Sequence, residues 1–219
     1  MKMKKEIKNL IIIAIVGIVV IGGIFAMLKT PTNSQTVDQA LLIHEDSYEL
    51  LEGKPINAKV TVVEFGDFEC PACGFSHGIF KQILLAYPDQ VNLVFRHYPL
   101  PQHKTALIAA EAAEAAGEQG KFWQMYDLLY ENQEKWSAKA EALDIFAEYA
   151  KQLNLDVEKF KKDIQDEKYK EKIKRDQADG DKLILTGTPT IYINGQKYTG
   201  GLSFQGIKNA IEAQLNPKP

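Results

Sequence analysis

The chain has 219 residues, 45% of them hydrophobic, with 26 Lys and Arg against 29 Asp and Glu for a formal charge of −3, and only 2 cysteines. That balance offers no basic surface for a nucleic acid. Two cysteines are too few for a disulfide-dense secreted scaffold or a four-cysteine zinc site, whereas the length is ample for one hydrophobic core.

The first eight residues are basic, with Lys2, Lys4, Lys5 and Lys8 against Glu6. Without them the totals of 26 and 29 fall to 22 and 28, a net −6. From Leu10 to Leu28 no charged or strongly polar residue interrupts the run. About 20 such residues span a bilayer as a helix, and the flanking lysines stay on the cytoplasmic side. No small-x-small cleavage signal follows Phe25. Residues 1–8 are therefore expected in the cytoplasm and 9–28 as an uncleaved transmembrane signal anchor, with a cleaved signal peptide as the alternative. The rest then lies outside, where disulfides form and persist. Pro31, Thr32, Asn33, Ser34 and Gln35 mark residues 29–40 as a flexible linker. Residues 41–219 remain for the folded domain.

Val60, Val62 and Phe65 lie in a β-branched and aromatic run that reads as a buried strand, broken by Gly66 and Asp67. From Pro71 to about Tyr87, Phe75, Ile79, Ile83 and Leu84 recur at helical spacing. Pro71 suits a first helical turn, where its missing N–H is no loss. Cys70 then falls at the N-cap, where free N–H groups and the helix dipole favour a thiolate. Such a site brings a thiol from about 8.5 into roughly the 3.5–7.5 range. Cys73 lies nearly one turn further in and can close a disulfide with Cys70. The outer sulfur suits attack and the inner one resolution. Asp67 and Glu69 oppose the thiolate by charge; on a wet surface they would be screened, leaving the helix terminus to prevail. A structural zinc site would need more ligands than Cys70, Cys73 and His77, so no metal is expected. A purely structural disulfide across so short a loop would stabilise little.

Val91 to Phe95 forms the next strand, and Arg96 at its end is read as an exposed edge cation rather than a partner for Glu64. His97 and His103 flank the Pro99-x-Pro101 turn and are given loop or cap roles. Helical patterns follow over Lys104–Ala116, Phe122–Tyr130, Ala140–Leu153 and Val157–Ile164, then a charged stretch through Arg175. Trp123, Tyr126, Leu129 and Trp136 are assigned to helical core. Tyr192–Ile193 and Gln196–Thr199 read as strands joined at Asn194-Gly195, a strong hairpin signal. Phe204–Leu215 closes the chain as a helix.

Four separated segments resemble the DsbA-like thiol:disulfide oxidoreductases of the thioredoxin superfamily: Glu64-Phe-Gly-Asp-Phe-Glu-Cys70-Pro-Ala-Cys73, Phe95-Arg96-His97-Tyr98-Pro99-Leu100, Gly120-Lys-Phe-Trp123-Gln-Met-Tyr126, and Gly187-Thr188-Pro189-Thr190-Ile191-Tyr-Ile193-Asn194-Gly195. The likeness runs from roughly Asp38 to the C-terminus. It implies an α/β thioredoxin fold with a helical domain inserted at about 101–182. It implies that Cys70 forms the mixed disulfide and Cys73 resolves it. Pro189, by its residues alone an ordinary trans proline at a strand start, matches the family's cis-proline, and Thr188 and Pro189 would line the substrate groove. Glu64, which could also face water at a strand end, matches the family's buried acid and would take the resolving thiol's proton. Pro71 and Ala72 occupy the positions that tune redox potential; the best-known member has Pro-His there, which leaves oxidising strength open.

The implied activity is donation of the Cys70–Cys73 disulfide to unfolded or reduced exported proteins, with a membrane protein reoxidising the pair. The disulfide itself is the only redox group and no further cofactor is expected. The expected setting is a monomer on the bacterial cell membrane. A tethered thiol reductase, an isomerase and a non-enzymatic anchored binding module are the alternatives.

Overall fold

The structure is a computed structural model that describes residues 37–50 and 58–217. The expected anchor, residues 9–28, lies outside the described residues; among those described, no helix is long and apolar enough to cross a membrane.

Two valine-rich runs form the centre of the sheet. β2 (Val60–Gly66) and β3 (Val91–His97) are buried along nearly their whole length. Strands covered on both faces need no polar alternation, and they pair in parallel, Val62 opposite Leu93 and Glu64 opposite Phe95. β1 (Tyr48–Glu49) and β4 (Thr190–Ile193) flank them antiparallel, and β5 (Gln196–Lys197) follows β4, giving the order β1-β3-β2-β4-β5. Asn194 and Gly195 at φ 46° and 78° supply the two left-handed residues that a tight β4–β5 hairpin requires.

One sheet face buries Val62, Leu93 and Ile191 against Ile79 and Ile83 of α2 (Pro71–Ala86) and Ile207 and Ile211 of α9 (Phe204–Leu215). The opposite face buries Val63, Phe65, Val94 and Tyr192 with Leu42 of α1 (Gln39–Leu42). Six helices lie between β3 and β4: α3 (Ala106–Gly117), α4 (Phe122–Glu131), α5 (Gln133–Trp136), α6 (Ala142–Gln152), α7 (Val157–Gln165) and α8 (Lys170–Lys182). Their core joins the alanines of α3 to Phe122, Met125, Leu129, Trp136, Phe146 and Phe160, and it also takes in Phe68 and Phe95. Tyr126, Leu129 and Trp136 are buried, while Trp123 is partly buried between this core and the α2 face of the sheet.

Several local expectations need correction. Arg96 is not an edge cation: it is fully buried, 2.9 Å from both Asp176 and Asp179, and donates to Leu41 O at 3.1 Å. Its charge is retained because two carboxylates from α8 meet it. Phe75 obeys the helical spacing of α2 yet is 61% exposed. The end of the expected linker is folded, since Asp38 caps α1 and Val37 N donates to Gly195 O at 3.3 Å. His97 is the buried last residue of β3, with Nε2 2.8 Å from Glu114 Oε1, rather than a loop residue. α1 and β1 are too short to leave a periodic signal.

Candidate active site

Both cysteines sit where β2 hands the chain to α2. Gly66 ends the strand against the Phe95 ring, where an added Cβ would stand 2.4 Å from Cε2. Phe68 then inserts into the helical core, its ring centroid 4.9 Å from Phe95 and 5.0 Å from Tyr130. This anchors the loop and places Cys70 at the N-cap with Pro71 at the first helical position. Pro71 and Ala72 are exposed, Cys70 is 7% exposed and Cys73 is fully buried. Both thiols are free.

The Thr188–Pro189 peptide is cis and brings Thr188 to the sulfur, with Cys70 Sγ 3.4 Å from Thr188 O. The Thr188 hydroxyl oxygen is buried without a partner and can donate to a thiolate. The Cys73 thiol, the Thr188 hydroxyl and the N–H groups of Cys73 and Ala72 all favour the charged form. Against partial burial they bring Cys70 down from 9.0 to about 5. Burial, together with the thiol's bond to Cys70 and the charges of Glu64 and Cys70, pushes Cys73 well above the ordinary thiol range. The two sulfurs are therefore opposite in character, one a thiolate that keeps a trace of exposure at the helix N-terminus and the other a fully buried thiol.

Glu64 lies beneath them on β2, fully buried. Burial raises its carboxyl from 4.5 to about 7, although bonds from Ser76 and Tyr126 favour the charged form. Ser76 Oγ is 2.7 Å from Glu64 Oε1 and 2.8 Å from Cys73 O, and Tyr126 OH is 3.2 Å from Glu64 Oε2. A hydroxyl has one hydrogen for two acceptors. A protonated Glu64 can donate to Ser76 while Ser76 donates to the Cys73 carbonyl, which satisfies every group. Near neutrality this carboxyl can either hold or release a proton beside Cys73.

Asp67 and Glu69 are not on a wet surface. Asp67 is 1% and Glu69 6% exposed, and both are fully engaged. Asp67 Oδ2 lies 2.6 Å from His103 Nδ1 and accepts from Leu100 N at 2.8 Å. Glu69 accepts from Thr105 N at 2.6 Å and Ala138 N at 2.8 Å. Hydrogen bonding to fixed donors, rather than screening, satisfies their charge.

His77 turns away from the cysteines and pairs with Asp127 Oδ1 at 2.7 Å. With Glu131 these side chains bring three donor atoms within 4.8 Å of one another. Lys81 Nζ already stands 2.6 Å from Glu131 and supplies positive charge there. The residues that join the two sulfurs are thus Glu64, Ser76, Tyr126, Thr188 and Pro189. Ser76 carries no sequence signal, and Tyr126 stands out only as helical core within a matching segment, because a serine and a tyrosine at helical spacing look like ordinary packing.

The family described as thioredoxin matches residues 46–213. The chain is similar to the probable disulfide bond formation protein D of Bacillus cereus, 37% identical over 168 residues that cover 73% of this chain and 76% of that protein. It is also 38% identical over 158 residues to the Na(+)/H(+) antiporter NhaA 1 of Salinispora arenicola, covering 72% of this chain but 23% of the antiporter. The chain therefore spans about a quarter of the length of those antiporter relatives. Among solved structures it resembles oxidised BdbD from Bacillus subtilis, with a TM-score of 0.66 and 28% identity over 73% of this chain and 89% of that one.

Proposed function

We propose, for a chain that belongs to the thioredoxin family and is a DsbA-like protein thiol:disulfide oxidoreductase, the direction of an oxidase that donates its Cys70–Cys73 disulfide to exported proteins. The observation that carries this reading is the depressed Cys70 thiol. At pH 7 a thiol brought from 9.0 to about 5 is nearly all thiolate. That favours the reduced protein by on the order of 100-fold, about 60 mV for a two-electron couple. The raised Cys73 does not offset this, because a thiol with an ordinary value is already protonated at pH 7. A disulfide whose reduced form is stabilised in this way gives up its oxidising equivalents readily.

In the exchange, a substrate thiolate attacks Cys70 Sγ and the Cys70–Cys73 bond breaks, leaving a mixed disulfide at Cys70. A second substrate thiolate then attacks its partner sulfur, the substrate leaves with its disulfide, and Cys70 departs as a thiolate. Cys73 leaves the first step as a buried sulfur that needs a proton, and Glu64 is the group placed to supply it. In the reverse direction Glu64 accepts that proton and Cys73 resolves the adduct. Thr188 and Pro189 line the groove beside Cys70, with Pro71 and Ala72 on its exposed rim.

The Leu10–Leu28 run supports an anchored catalytic domain on the extracytoplasmic side of a bacterial membrane, with a membrane protein as reoxidant. Equilibration with glutathione at pH 7 tests the direction. An oxidase gives a potential clearly above the roughly −270 mV of a thioredoxin-type reductant. A value at or below it transfers the protein to the reductase reading.

A further inference from the structure

The four residues that deliver Cys70 to its helix, Asp67 to Cys70, are held largely from the helical insertion. Gln133 Nε2, at the start of α5, donates to Phe68 O at 2.7 Å and to Cys70 O at 2.9 Å. The same Cys70 carbonyl accepts the Cys73 and Gly74 N–H groups at 3.0 and 3.1 Å, so it is the first carbonyl of α2. The Gln133 amide is lodged against that turn, since a Cβ added at Gly74 would stand 3.2 Å from Gln133 Oε1.

Glu69 completes the hold from the other side. Its Oε2 accepts from Thr105 N at 2.6 Å, and its Oε1 accepts from Ala138 N at 2.8 Å and the Ser137 hydroxyl at 3.0 Å. Ala138 is a left-handed alanine at φ 55°, and its N–H also reaches Thr105 Oγ1 at 3.0 Å. Such a backbone is strained for a residue with a Cβ. Its N–H bonds to Glu69 and Thr105 help offset that strain. The Glu69 N–H is in turn fixed by Asp67 Oδ1 at 2.7 Å.

None of these groups is bonded to the sulfur, yet together they orient the peptide that carries it. A rotation of the Cys70 peptide would swing Sγ away from the Ala72 and Cys73 N–H groups and from Thr188. We propose that Gln133 and Glu69 are positioning residues for Cys70, a clamp through which the helical insertion holds the nucleophile's peptide in its capping conformation. The inference rests on Cys70 being the attacking sulfur, as proposed above.

The test uses the full chain and three variants. Gln133→Met keeps length but removes the donor, Gln133→Lys restores a donor, and Glu69→Gln removes the charge and half of the acceptors. Iodoacetamide alkylation against pH, with the modified cysteine identified by mass spectrometry, reads the Cys70 thiolate. Glutathione equilibration reads the disulfide. Gln133→Met should raise the alkylation midpoint by about one pH unit and lower the oxidising equilibrium constant about tenfold, roughly 30 mV. Glu69→Gln should move both the same way even though it removes a charge that opposes the thiolate, and Gln133→Lys should return the midpoint to or below, and the equilibrium constant to or above, the parent values. A lowered melting temperature with both redox readouts unmoved would make the contacts structural only and overturn the proposal. If Gln133→Met does not fold, Glu69→Gln decides by the same criterion. Alkylation of Cys73 instead of Cys70 in the parent would instead defeat the assignment of the attacking sulfur.

Discussion

Replacing Glu64 by Gln should stabilise the reduced protein at pH 8 and barely change it at pH 4. Glu64 is fully buried and its carboxyl is raised from 4.5 to about 7, chiefly by burial. Between those values the folded state holds a proton that the unfolded chain has released. Stability therefore falls as pH rises through this window and levels off above about 7. At 1.36 kcal/mol per pH unit the full penalty is about 3 kcal/mol. The amide is close in shape to the neutral acid and can still accept from Ser76 or Tyr126, so it removes the penalty without opening a cavity. Urea denaturation of the reduced parent and Glu64→Gln at pH 4 and pH 8 measures the difference. The variant's advantage should be near zero at the lower pH and about 3 kcal/mol at the higher. The same variant should exchange disulfides more slowly, because an amide cannot relay the Cys73 proton; general acid–base assistance of this kind is worth about 10²–10⁴-fold. Equal stability effects at the two pH values, or a loss at pH 8, would refute the raised, buried acid.

Cys73→Ser should accumulate covalent complexes with exported substrates through Cys70 that reduction releases, while Cys70→Ser should yield none, because Cys73 is fully buried. Non-reducing electrophoresis checks this, and adducts through Cys73 alone would invert the assigned roles. Arg96→Ala should cost about 3–5 kcal/mol in urea unfolding, since it leaves Asp176 and Asp179 buried without their cation. A loss under about 1 kcal/mol would mean that water or His44 and Lys182 compensate.

Charged side chains depart furthest from their local signals. Ionised side chains usually stay in water, which points Arg96, Asp67 and Glu69 to a wet surface. Each instead meets partners distant in sequence. Arg96 reaches α8 some eighty residues on, Asp67 meets His103, and Glu69 meets Thr105 and the Ser137–Ala138 turn. A strand-end arginine carries no local mark of whether two aspartates will arrive from another helix. Phe75 erred in the opposite sense. Helical spacing gives it an apolar position, but it stands on the same side of α2 as the exposed Pro71 and Ala72, turned to solvent.

What short-range physics controls is legible in the chain. The β-branched run before Gly66, Pro71 opening a helix behind Cys70, the Asn194-Gly195 hairpin and the periodicity of α2, α4, α6 and α9 all follow from steric preferences and patterning within a few residues. The placement of Cys70 at a helix N-terminus belongs to the same class, and with it the sign of its pKa shift. Tertiary structure alone decided how the two sulfurs differ and what holds them. The depth of Cys73, the burial of Glu64 beneath Ser76 and Tyr126, the approach of Thr188 to Cys70 and the grip of Gln133 and Glu69 on the loop each join segments 12 to 118 residues apart. Desolvation and hydrogen bonding act through space, so those energies exist only once the chain has brought the segments together.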